Sequence, residues 1–233
     1  MAMILKGVTS RLSKEVTPYL KELGYVETIP MGFTKEPFNS DVSFNILPEM
    51  SRFGILVSAG RSYRTIEDFW EPYQHMLQGM KQPYPLTVGF VKGTIDYDFT
   101  KVYPPRYSPE RYVIKEDTDI NLYVESFRKD FEELFIPYLK QTEDIRWLDK
   151  GLNTNPLEFK NLPKVFPAIG NMFRKIIVAR LAGNPSYEEI CTLIRGFILQ
   201  YDDDYMKNSL IVFDKVYERL KTVEALSNPF LER

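Results

Sequence analysis

The sequence predicts an α+β fold. A mainly antiparallel sheet with flanking helices is expected in residues 1–117 and an α-helical half in 118–233, the two packed as one compact unit. Three observations predict it. Short alternating segments punctuated by Gly and Pro fill residues 25–116, runs with helical spacing take over from Asp117, and the later runs have short, bundle-like connections.

In residues 10–23, Leu12, Val16, Leu20 and Leu23 fall at helical spacing with Gly24 as the stop, and Pro18 is expected to split the stretch or to sit in the first turn of a shorter helix. Residues 25–34 contain β-formers, and Pro30 and Gly32 suggest an edge strand or a bulge. Segments 42–47 and 53–59 alternate and are joined by a hairpin-length connector, so they are expected to be antiparallel neighbours. Thr65 is expected to cap a helix with Glu67 and Asp68 in its first turn, Ile66, Phe69, Trp70, Tyr73, Met76 and Leu77 as its stripe, and a kink or early break at Pro72. A second β region covers 86–99, and residues 111–116 read as a last short strand.

Beyond Asp117, residues 119–141 place Ile120, Val124, Phe127, Phe131, Leu134 and Tyr138 on one helical face. A short acidic-start helix, EDIRWLDK, is expected to close at Gly151. An apolar helix spans 164–182, and Ser186 with Glu189 reads as a capping box for a helix over 187–200. Asp202 to Asp204 open the final helix.

Composition excludes several classes. The 233 residues suffice for a core without staples, and a hydrophobic content of 44% is ordinary for a globular chain. A formal charge of −2 gives no field with which to hold nucleic acid or an anionic membrane. One cysteine, Cys191, forbids an intramolecular disulfide and makes a Cys-based zinc site implausible; it reads as a small core residue. No apolar run reaches the length of a signal peptide or a membrane span, which makes a cytoplasmic location the expectation.

The strongest local candidate for chemistry is SAGRSYRT, residues 58–65. A strand running through Ala-Gly into a helix start could offer backbone N–H groups to an anion, with Arg61, Ser62 and Arg64 as ligands. Glu67 and Asp68 already complement the helix dipole, and one glycine falls short of a phosphate loop. A plain strand-to-helix corner therefore uses fewer assumptions. The near match to GxSxG fails because Arg64 replaces the second glycine, and the single histidine, His75, lies down the following helix. Asp96 and Asp98 share one strand face and could bind a cation or share a proton, or simply be solvated. Tyr103, Arg106, Tyr107, Arg111 and Tyr112 form a Tyr and Arg cluster of the composition enriched at interaction hot spots, or a loop packed by its own rings. Asp202, Asp203 and Asp204 read as helix caps rather than metal ligands. No catalytic residue, metal site or cofactor is expected.

The segments LYVESFRKDFEELFIPYLKQTEDIRWL and IIVARLAGNPSYEEICTLI resemble the C-terminal part of small bacterial α+β proteins of unknown function, some grouped with immunity proteins of polymorphic toxin systems. The resemblance covers roughly half the chain and includes no catalytic signature. It implies a bacterial cytosolic protein that acts by binding another protein, without catalysis. The competing expectation is an anion-binding protein or an enzyme with a cleft beside residues 58–65.

Overall fold

The computed structural model describes residues 2–29, 32–35, 40–45, 58–77, 88–91, 131–157 and 170–231, with further helical positions between 121 and 129. The described residues are mostly helical, with a few short strands. They fall into two compact units, Met1–Arg61 with Gly89–Lys140, and Ser62–Val88 with Gln141–Arg233. Each unit draws on both sides of residue 117.

In the first unit, helix α1 spans Ala2–Glu22 without a break. Leu12, Val16 and Leu20 form its buried stripe. Pro18 interrupts nothing because it lies on the exposed side, as does Lys14, whose carbonyl would otherwise have accepted its missing N–H. Gly24, at φ +85°, ends the helix in the left-handed region, where a side chain would be strained. The stretch 25–34 folds as parts of two strands instead of one. Strand β1 (Tyr25–Ile29) pairs antiparallel with β2 (Gly32–Lys35), Tyr25 opposite Lys35, with a register shift between Glu27 and Ile29. Strand β3 (Ser40–Asn45) continues the antiparallel pairing, with Phe33 opposite Phe44. Strands β4 (Ser58–Tyr63) and β5 (Val88–Val91) follow in chain order.

A π-helical turn, Phe131–Phe135, runs into α3 (Ile136–Gln141). The wider turn shifts the apolar stripe by one position, so Phe127, Phe131 and Phe135 are buried and are followed by both Tyr138 and Leu139. Phe131 is the hub of this core. Phe127 stacks on it at 5.8 Å, and Tyr19, Tyr25 and Phe135 meet it edge-on at 6.0, 5.7 and 6.4 Å.

In the second unit, α2 (Arg64–Glu67) is a single turn, followed by a 3-10 turn over Glu71–Met76. The helix starts at Arg64 with Tyr63 before it, so Thr65 does not cap it. The break falls at residues 68–70, ahead of Pro72. Helix α4 (Ile145–Asn153) runs through Gly151, which is buried inside it, and Asp144 caps its start by accepting from Arg146 N at 2.9 Å. Helix α5 (Asn171–Ala182) ends at Gly183, where Gly183 N donates to Arg180 O and Asn184 N to Ala179 O.

Helix α6 covers Tyr187–Ile198 and α7 covers Asp204–Leu220. The expected capping box at α6 does not form. Ser186 makes no side-chain cap, and Asn184 Oδ1 instead accepts from Ser186 N at 2.9 Å. Asp203 does cap α7, accepting from Met206 N at 2.8 Å, and Asp202 pairs with Lys207 at 2.8 Å. No helix among the described residues is long and apolar enough to cross a membrane.

The two caps make opposite predictions. Asp203→Ala should destabilise the protein by about 1 kcal/mol in urea unfolding. Ser186→Ala should change it by no more than about 0.3 kcal/mol, as for a surface site without a specific role.

Candidate functional site

Strand β4 carries the residues expected to bind an anion, and it hides most of them. Arg61 and Ser62 are buried. The Arg61 guanidinium donates from Nη1 to the Leu139 carbonyl at 3.1 Å, so its charge serves a backbone acceptor inside its own unit. Arg64 is part-exposed and is drawn to Glu71 at 2.6 Å and Asp68 at 3.3 Å. Residues 58–65 are strand and helix start rather than a loop. Asp96, Asp98, Tyr103, Arg106, Tyr107, Arg111 and Tyr112 lie outside the described residues.

The chain places its buried charge three residues further on. Glu67, expected to complement the helix dipole from the first turn, is fully buried and meets Arg174 of α5, also fully buried. Arg174 Nε donates to Glu67 Oε1 at 2.7 Å and Nη2 to Oε2 at 2.9 Å, a two-pronged pair. Trp70 Nε1 donates to the same Oε2 at 2.7 Å. The Trp70 ring lies beneath the guanidinium at 5.2 Å and stacks on Phe173 at 5.7 Å. Gly170, at φ +81°, makes room for that indole, since a Cβ there would stand 2.6 Å from Trp70 Cζ2. Arg219 of α7 then ties the turn down from outside, donating to the Asp68 and Phe69 carbonyls at 2.9 Å each.

This cluster is closed to solvent, so it holds the fold together and offers no ligand an approach. The sequence contains a signal for part of it. Glu67 and Trp70 are three apart, the spacing that brings two side chains onto one helical face. Nothing local announces Arg174, more than one hundred residues away.

A second polar set joins α4 to α5. Lys175, fully buried, donates to the Leu152 carbonyl and, at 3.4 Å, to the Asn155 carbonyl, placing a cation at the C-terminal end of α4. Asn153 donates to Asp149 at 2.7 Å and to Lys175 O at 2.9 Å, and Asn184 reaches the other Asp149 oxygen at 2.7 Å. Burial pushes the Asp149 carboxyl above its ordinary range, against these bonds, which pull it down.

Other candidates are inert. His75 is exposed, with Nδ1 3.0 Å from Pro72 O. Cys191 is buried in α6, and burial pushes its thiol up to about 12. Among the described residues no three His, Cys, Asp or Glu side chains are grouped to hold a metal ion. A shallow depression of about 300 Å³ is lined by Thr65, Leu226, Ser227, Asn228, Phe230 and Leu231, none of them charged.

The outer face of α6 is different. Tyr187, Ile190, Cys191, Ile194 and Ile198 point inward. Opposite them stand Leu193, 36% exposed, and Leu199 just past the helix end, 56% exposed, with Tyr201 at 48%. Arg195 pairs with Asp214 at 3.1 Å, and Tyr217 donates to Glu188 at 2.9 Å. These two contacts fix an antiparallel register between α6 and α7, and Ile211 of α7 is itself 45% exposed. Seven large hydrophobic residues are exposed among the described residues, and four of them fall between 193 and 211. A Cβ at Gly196, in the middle of this face, would meet nothing within 4 Å.

Removing either member of the buried pair leaves the other uncompensated. Glu67→Leu and Arg174→Met should each cost about 3–5 kcal/mol in chemical denaturation. The double variant should lose clearly less than the sum, and strict additivity would show that the pair is not coupled. Native Cys191 should resist thiol reagents at pH 8, where its thiolate is scarce, and should label fully once the chain is unfolded.

No family model matches the chain, and no curated protein or solved structure is significantly similar to it.

Proposed function

We propose that the chain is a non-catalytic protein-binding protein of the cytoplasm, immunity-like in its mode of action, and that it binds through the outer face of α6 with the adjoining edge of α7. In this reading the architecture is α+β with a mainly antiparallel sheet, and the helical second unit is the binding element. The observation that supports it most is the apolar band of Leu193, Leu199, Tyr201 and Ile211 around Gly196. Isolated exposed hydrophobic residues are ordinary, but four gathered on one pair of helices are more than scatter accounts for.

Gly196 adds weight. A glycine inside a helix costs about 1 kcal/mol relative to alanine, and no contact among the described residues requires one here. A partner backbone that approaches the helix closely would require it.

The reading as an anion-binding protein or enzyme has less support. Arg61 is buried against a main-chain carbonyl, Arg64 lies between two carboxylates, and the nearby depression has no charged wall.

The test is a photo-cross-linkable residue at position 193, with one at exposed Lys150 on α4 as control. Position 193 should yield a specific protein adduct in cells and position 150 none. Gly196→Leu should raise stability by about 1 kcal/mol while eliminating the adduct from position 193. Equal adducts from both positions, or none from 193, would refute the reading.

A further inference from the structure

Resting on the α6 face as a protein-binding surface, we infer that its occupant is an amphipathic helix of another protein, apolar in the middle and bearing Lys or Arg at both ends. The first argument is shape. At about 100° per residue, Gly196 lies opposite the centre of the buried set Tyr187, Ile190, Cys191, Ile194 and Ile198. Continuing the same turn, Leu193 and Leu199 stand about 60° to either side of it. The face is therefore a shallow trough with a bare backbone at its floor, flanked by Thr192 and Gln200 at about 40° and by Leu193 and Leu199 further out. Such a trough accepts a rod of helical diameter, and a small residue at the contact lets two helix axes approach closely.

The second argument is charge. Between residues 187 and 204 there are five carboxylates, Glu188, Glu189, Asp202, Asp203 and Asp204, and one basic residue, Arg195. These carboxylates sit at the two ends of the apolar band, and Asp214, beside its middle, is neutralised by Arg195. Nearby cations are already engaged, Arg195 with Asp214 and Lys207 with Asp202. Glu188 accepts from Tyr217 and Asp203 caps α7, which leaves Glu189, Asp204 and the outer side of Asp202 to face an incoming group. A partner with cations spaced around an apolar centre matches this pattern, and an acidic one is repelled.

The same charges argue against a second copy. Antiparallel pairing about Gly196 would bring Leu193 to the other copy's residue 199, but would also carry Glu189 past the end of the other α6 toward the acidic turn at residues 202–204. An anionic membrane surface meets the same repulsion.

The experiment uses the full chain and two synthetic helical peptides with one identical leucine face, one ended with lysines and the other with glutamates. Affinity is measured by fluorescence anisotropy. The lysine-ended peptide should bind at least tenfold tighter, and Glu189→Lys with Asp202→Lys should invert the order. Leu199→Ser and Gly196→Leu should each weaken it at least tenfold with the fold intact by circular dichroism. Equal affinities, no inversion, or insensitivity to Leu199→Ser would overturn the inference. If neither peptide binds while position 193 still cross-links to a protein, the helical occupant is wrong and the binding face stands. If position 193 captures nothing, the face itself is wrong.

Discussion

A carboxylate and a guanidinium removed from water together constrain much of the second unit. Neither Glu67 nor Arg174 could be buried alone, because an isolated ion in an apolar interior loses several kcal/mol of hydration with nothing in return. Their two-pronged contact forces residues 64–70 onto α5 in one orientation. Trp70 follows, since its indole N–H completes the carboxylate's hydrogen bonds and its ring receives the guanidinium. Gly170 follows from Trp70, since a side chain at φ +81° would both strain the backbone and strike the indole.

Much of the helical architecture could be read from periodicity. Leu12, Val16 and Leu20 in α1 and Phe127, Phe131 and Tyr138 around the π turn are buried as their spacing implies. The caps divide more evenly. Asp203 caps α7 as its position suggests, whereas Asn184 displaces Ser186 because its amide also serves Asp149, a partner no local window contains. Pro18 and Gly151 were misleading for a shared reason. A breaker acts only where the missing bond or missing side chain matters, and Pro18 faces solvent while Gly151 is buried within α4.

The site was the least legible part. Arg61, Ser62 and Arg64 look available in a linear sequence because nothing there shows that β4 buries the first two. Glu67 looks like a dipole partner because its true partner is 107 residues away. The trough on α6 was hidden for the converse reason. Leu193, Leu199 and Ile211 lie in amphipathic segments whose apolar residues are mostly core, and only the folded chain shows that these three remain outside. In the second unit, then, buried polar groups are consumed by the fold, and apolar groups left outside carry the proposed function.

The dependence of the unit on its buried pair is tested most directly by native-state hydrogen exchange. The amides of Asp68, Phe69 and Trp70 donate to Arg64, Ile66 and Glu67 within a short, irregular turn that would ordinarily open easily. If the Glu67–Arg174 pair binds this turn to α5, the Trp70 amide should exchange only through the opening that also exposes the amides of α5, with the same free energy. Exchange at Trp70 orders of magnitude faster than in α5 would show that the turn opens by itself and would contradict the account.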